Sequence, residues 1–389
     1  MKKAGAVILF IVCAYFVYAQ SELLFRDIPL QQALDLSVVE NRPVLFMCYE
    51  DWCGHCEKML NEVFTDTALI SFYSKNFICV KMDMTTGEGP KYVKKFSVTS
   101  YPTFVVLDKN GETIYQFAGE YKANDFIMHG QTALITENQI PYLRGRFENN
   151  LSDSGACYAY LKALTRGRLP TQDAVNLYFR HNKNNFGISS GNWKILSTGV
   201  SDIESEPFQF ILSHQKEFGE AVTEKKVDRK IYLTTAYNLQ SAGNANDTAT
   251  YKRKKIIAAG FQLHFIDSLI FVSDLGLYER NKMWPQFIRT ALSGTETYVW
   301  NDYVELRHIA DMFLQHATIE TLYIEGAGYA KRSSEIRSEY GNTILAAKLF
   351  VKGGDKISAY EMAVKAKDIA KKMQLNMSEV NLVMEQCGE

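Results

Sequence analysis

The chain has 389 residues, of which 47% are hydrophobic, 22% charged and 13% aromatic. That is too long for one small core and calls for two domains, or one domain and a repeat array. A formal net charge of −1 gives no electrostatic footprint for nucleic acid or an anionic membrane surface, so neither is expected as a partner.

In chain order, the first element is Met1-Lys2-Lys3 followed by an apolar run over 4–19 that ends in Val17-Tyr18-Ala19. It reads as a secretory signal peptide over 1–19, which puts the rest of the chain in the periplasm or cell envelope. The alternative is an uncleaved anchor, since the run is close to the shortest length that spans a bilayer. With Cys13 removed, Cys48, Cys53, Cys56, Cys79, Cys157 and Cys387 remain. They are too sparse for a disulfide scaffold.

Residues 44–49, Val-Leu-Phe-Met-Cys-Tyr, have the length and composition of a buried strand. In the helix expected over 57–64, Met59, Leu60, Val63 and Phe64 fall on one face. Between them stands Asp51-Trp52-Cys53-Gly54-His55-Cys56, with the chain's one closely spaced cysteine pair. A zinc site would need a second pair of ligands at similar spacing, and a c-type haem would need His where Glu57 stands. No metal is expected, and no cofactor beyond a redox-active Cys53–Cys56 disulfide. At a strand-to-helix junction the helix dipole favours the Cys53 thiolate, the species that disulfide exchange requires.

A helix is expected over 66–75, a second buried strand over 77–83 and a short helix over 90–96. Tyr101-Pro102-Thr103 opens the next strand, running to 107. Asp108-Lys109-Asn110-Gly111 turns the chain into a strand over 113–118, and a helix closes the region at about 124–136. Asn-Gly between two apolar runs is a strong hairpin signal. The order predicts an α/β arrangement with a mixed central sheet flanked by helices.

Cys53-Gly54-His55-Cys56 at a strand-to-helix junction, with Tyr101-Pro102-Thr103 at a later strand start, resembles the thioredoxin fold. The Cys-Gly-His-Cys form is similar to protein disulfide isomerase active sites, and Asp51-Trp52 with Phe64-Thr65-Asp66 to secreted bacterial thioredoxin-like domains. The resemblance covers roughly 22–136, and the domain is drawn over 20–136. It implies Cys53 as the attacking thiol, Cys56 as the more buried resolving thiol, and Pro102 in a cis peptide bond that lets Tyr101 pair with an extended substrate segment. Trp52, Gly54, His55, Tyr101 and Thr103 are the expected binding and tuning residues, and Lys81 matches the basic residue of the neighbouring strand. A donor at His55 would stabilise the thiolate and make the disulfide a better oxidant. The family span is about −270 mV for thioredoxin to about −180 mV for the isomerase.

The chain departs from the pattern at Met47, where thioredoxins usually carry a buried acid that moves the resolving thiol's proton. Glu50, Asp51 or Glu57 could take that role, although each also reads as a solvated surface charge. Laid on the family pattern, Cys79 shares the sheet face of Lys81, and Cys48, one residue from Met47, takes the opposite face, so the two read as small buried hydrophobes that do not pair.

Residues 137–155 read as a polar, glycine-containing linker, and 156–389 as an α-helical, repeat-like domain. Helices are clearest over 344–351 and 359–373, separated by Gly353-Gly354-Asp355. A helix-end pattern at Gly167, Gly243 and Gly353 has spacings of 76 and 110, which weakly resembles tetratricopeptide-like hairpins. The histidines here are scattered and read as ordinary surface or core residues, and a Cys157–Cys387 bridge has no support in the sequence.

Two functions follow. One is an exported thiol–disulfide oxidoreductase acting on protein thiol or disulfide clients, served by a membrane-bound electron donor or acceptor, with the helical region binding a protein partner. The other is an interaction or chaperone-like module in which the cysteine pair is regulatory. Retention of both cysteines favours the enzyme.

Overall fold

The computed structural model describes residues 24–245 and 247–388, so the expected signal peptide over 1–19 lies outside the described residues. The chain forms two compact units, one ending at Gly187 and the other beginning at Ile188.

In the first unit the elements run α1 (Leu30–Glu40), β1 (Val44–Tyr49), α2 (Gly54–Lys58), a π-helical turn (Met59–Val63), α3 (Thr67–Asn76), β2 (Ile78–Asp83), α4 (Gly89–Lys95), β3 (Thr103–Leu107), β4 (Thr113–Ala118) and α5 (Ala123–Leu134). After them come α6 (Ile140–Asn149), α7 (Ser154–Arg166) and α8 (Gln172–Asn182). The sheet order is β2-β1-β3-β4. β1 pairs in parallel with β2 and antiparallel with β3, which pairs antiparallel with β4. Because both faces of β1 are covered, the strand is a continuous apolar run. Leu45 and Met47 join Cys79, Phe104, Phe117 and Phe126 on one face, and Phe46 and Cys48 join Val80 and Val105 on the other. Cys48 and Cys79 are thus free thiols buried on opposite faces, as the resemblance implies.

Local chemistry sets the element ends. Asp66 caps α3 by accepting the Leu69 N–H at 2.9 Å. In the hairpin, Asp108 Oδ1 accepts the N–H groups of Asn110 and Glu112, each at 2.9 Å, and Gly111 takes φ +75°. The sequence does not signal α1, because it leaves Val38 and Val39 exposed and buries only Leu30, Ala33 and Ser37, which blurs the apolar stripe.

Where a linker is expected over 137–155, the chain instead forms a short 3₁₀ turn, α6 and the start of α7, and the first unit continues through α8. The polar run Glu148-Asn149-Asn150 ends a helix and does not begin a tether. The Arg166 guanidinium at the end of α7 lies 3.6 Å above the Tyr115 ring of β4. Gln116 of β4 donates to the Phe96 carbonyl at 3.0 Å and the Gly167 carbonyl at 2.9 Å. A fully buried glutamine amide needs such partners, and α7 supplies one.

The described part of the second unit is all helix, with a core that includes Phe271, Phe287, Leu306, Ile309, Phe313 and Leu349. The helices Tyr340–Lys352 and Lys356–Lys372 match the two clearest sequence signals. Gly354 turns between them at φ +79°, and Asp355 caps the second by accepting the Ser358 N–H at 3.0 Å. The three glycines are not equivalent: Gly167 and Gly353 stand just past helix ends, but Gly243 lies inside the helix Glu224–Asn244.

Candidate functional site

The chain leaves β1 at Tyr49 and turns through Glu50-Asp51-Trp52 into α2. Cys53 is the N-cap of α2, and its N–H donates to the Glu50 carbonyl at 3.1 Å. The Cys53 carbonyl accepts the Cys56 and Glu57 N–H groups at 2.9 and 3.0 Å. The Cys56 N–H also donates to Cys53 Sγ at 3.2 Å. A cysteine in this place uses sulfur where a cap would ordinarily use oxygen, and a thiolate accepts the bond better than a thiol does.

The two sulfurs sit in unlike surroundings. Cys53 is half-buried and Cys56 is 1% exposed. Burial first, and then its hydrogen bond with Cys53, push the Cys56 thiol up to about 12. The charges of Cys53 and Glu50 act the same way, against a backbone hydrogen bond from Glu50 that favours the thiolate. The outer sulfur is placed to react and the inner one is held protonated.

The Tyr101–Pro102 peptide bond is cis. Pro102 is buried, and its carbonyl accepts the Gly119 N–H at 2.9 Å. Thr103 is buried opposite Cys48 in the sheet, and its hydroxyl donates to the Ser100 carbonyl at 2.7 Å. Tyr101 and Cys53 pack against the apolar cluster that contains Cys56. Trp52 is 78% exposed, a large aromatic beside the reactive sulfur. The space a side chain would fill at Gly54 is open. Lys81 lies across the sheet from Met47 and reaches the Tyr49 ring, its Nζ 4.9 Å from the centroid. Lys81 and Tyr49 line a cleft of about 680 Å³ with Leu60, Phe64 and Asp83, which the two cysteines, Trp52, Tyr101 and Pro102 do not line.

Two features go beyond the sequence reading. His55 points to the rim, where its Nδ1 lies 2.8 Å from Glu120 Oε2, and Lys58 meets the other carboxylate oxygen at 2.5 Å. The Lys58 and His55 partners hold the Glu120 carboxyl below its usual range. Glu120 is far from the motif in sequence, in the turn after β4, and nothing local marks it. The second feature is Glu50: Asp51 and Glu57 are exposed, as surface charges should be, but Glu50 is only 9% exposed. Among the described residues, no group of three or more His, Cys, Asp or Glu side chains stands together to hold a metal.

Residues 30–133 match the family model of the thioredoxin-like domain. A thiol:disulfide interchange protein TxlA homolog from Synechocystis sp. is 30% identical over 117 residues, which are 30% of this chain and 61% of that protein. A protein disulfide-isomerase from Datisca glomerata is 25% identical over 79 residues, 20% of this chain and 16% of that protein. The solution structure of a thioredoxin from Thermus thermophilus aligns at 23% identity with TM-score 0.26, covering 28% of this chain and 86% of that one. The chain therefore spans less than two thirds of the length of these curated relatives.

Proposed function

The chain carries a thioredoxin-like domain over residues 30–133, and on that premise we propose that it is an exported thiol–disulfide oxidoreductase acting on protein clients. The observation that carries this reading is the asymmetric pair, with Cys53 Sγ at the helix end accepting the Cys56 N–H at 3.2 Å and Cys56 buried behind it. The Cys53 thiolate attacks one sulfur of a client disulfide, and the other client sulfur leaves as a thiolate. Cys56 then gives up its proton and attacks Cys53 Sγ, which releases the second client sulfur and closes the Cys53–Cys56 disulfide. Two electrons pass from the pair to the client. Run backwards, the same steps oxidise a client dithiol.

In this reading Tyr101 and Pro102 present backbone to an extended client segment, and Trp52 offers it an exposed aromatic face. Relatives named for disulfide exchange support protein thiols as clients. Export, a membrane-held electron donor or acceptor and a protein partner on the helical unit complete the proposal; export rests on the basic and apolar pattern of residues 1–19.

The test is to equilibrate the purified protein in glutathione buffers and count free thiols by alkylation and mass. The wild type is expected to lose two thiols in one cooperative step. Cys53→Ser should abolish exchange, and Cys56→Ser should trap a client on Cys53. A midpoint near −180 mV would assign oxidation or shuffling, and one near −270 mV reduction. A pair that does not cycle would end the enzyme reading.

A further inference from the structure

The helix Glu224–Asn244 of the second unit, 21 residues long, buries Val227, Ile231, Leu239 and Ala242. Its opposite face carries Lys226, Arg229, Leu233, Tyr237 and Gln240, all exposed. Their three- and four-residue spacing lines them up along one side of the helix. The outer face of such a helix is ordinarily polar. Here Leu233 is 51% and Tyr237 61% exposed. Tyr232 beside them is exposed as well, its ring centroid 5.8 Å from that of Phe265.

The charge on this face is one-sided. Over 224–259 the chain has eight Lys or Arg against three acids, although its overall charge is −1. Both acids of the helix turn toward the neighbouring helix Gln215–Ala221. Asp228 accepts the Gln215 side-chain amide at 2.7 Å, and Glu224 Cγ lies 3.0 Å from where a Cβ on Gly219 would stand. Lys230 donates to the Val200 carbonyl at 2.5 Å. In the next helix, Arg253, Lys254 and Lys255 are matched internally by Glu204, Asp202 and Asp274. Lys225, Lys226 and Arg229, by contrast, make no ion pair among the described residues. They also stand in the first two turns, where the positive end of the helix dipole disfavours a cation.

We propose that this face of Glu224–Asn244 is the docking surface for an acidic amphipathic helix of a partner protein, whose carboxylates meet Lys225, Lys226 and Arg229 and whose apolar residues pack on Leu233 and Tyr237. The inference rests on the partner-binding part of the reading above and is independent of the cysteine chemistry. Charge complementarity sets the sign of the partner, because three unmatched cations border the apolar line and no carboxylate shares it. One apolar side chain per turn along a single line is the relief against which a second helix packs. Tyrosine and arginine are also the side chains that most often anchor protein interfaces. A lipid surface takes a helix whose large apolar face is free to sink into it, whereas this helix commits its apolar face to the core of its own unit.

The test places the photo-crosslinker p-benzoylphenylalanine at Tyr237 of the full chain, in the cells that make it. A second chain carries it at Ile357, an exposed position on the helix Lys356–Lys372. Adducts are sequenced by mass. At 237 the expected adduct is one protein segment rich in Asp and Glu, with apolar residues at three- and four-residue spacing, and it should be missing at 357. Arg229→Glu should cut that adduct about tenfold, and changing the facing acid of the partner to lysine should restore it. Arg229 is exposed, so the variant should keep the wild-type melting temperature and its rate of exchange with oxidised glutathione. An adduct to lipid, to a second copy of this chain or to a segment without surplus acid would overturn the proposal, as would an adduct indifferent to Arg229→Glu. Protein adducts at 357 with none at 237 would overturn the docking surface and leave the partner reading standing. No protein adduct at either position would remove the partner reading as well, so the two failures are distinguishable.

Discussion

His55 sits between two cysteines, where it could stabilise the thiolate, but its imidazole is tied outward to Glu120, which also holds Lys58. The carboxylate partly cancels the positive charge that an oxidising site would use. Glu120→Gln should therefore raise the reduction potential of the pair, by an amount on the order of 10 mV for so exposed a contact, measured against glutathione. Glu120 is held below its usual range, so the contact is complete above the ordinary carboxylate pKa and is lost as pH falls through the lowered one. At neutral pH it is intact. The buried thiols have the opposite sign. Burial raises Cys56, Cys79 and Cys157 from 9 to about 12. Their contribution to the reduced fold is complete below pH 9 and lost as pH rises toward 12, when the unfolded chain ionises and the folded one does not. The melting temperature of the reduced protein should fall across that window, and Cys79→Ala should flatten the fall. The sequence shows the cysteine spacing and the motif proline plainly. It cannot show that Glu50 is buried while its neighbour Asp51 is not, because that depends on how the turn after β1 packs in three dimensions.

The strands were legible because they are buried on both faces and are written as unbroken apolar runs; β1 and β4 fall at the expected residues. The helices over the sheet depend on closer fitting. Gly130 of α5 lies against α3, where an added Cβ would come within 2.5 Å of the Phe72 ring and 2.8 Å of Tyr73. Tyr73 itself donates from its hydroxyl to the Phe126 carbonyl at 2.6 Å, joining the two helices inside the aromatic core. Gly130→Ala should cost about 1–3 kcal/mol through overpacking, even though alanine is the better helix former. Chemical denaturation should show it as a lower midpoint at an unchanged slope. A helix such as α1, with a narrow buried stripe and two exposed valines, has no comparable signature in the sequence.

For the whole molecule, the instructive difference lies at 137–155. Those residues look like a tether because they are polar and contain glycine, but Arg166 and Gly167 carry the following helix back onto Tyr115 and Gln116 of β4. That partnership links residues about 50 positions apart, and no local pattern announces it. A fragment of residues 24–136 should melt lower and bind more hydrophobic dye than one of residues 24–187, which keeps α6–α8 on the sheet. Equal melting temperatures would reduce those helices to a passenger. The distribution of the sulfurs has a consequence of another kind. Among the described residues, Cys48, Cys56, Cys79 and Cys157 are buried, and only Cys53 and Cys387 reach the surface even in part. A molecule that passes disulfides to others runs the hazard of passing them to itself. In the proposed exchange role, burial of Cys48, Cys79 and Cys157 would sheathe these spare thiols like conductors in insulation, and Cys387 would be the spare sulfur still within reach of a stray disulfide.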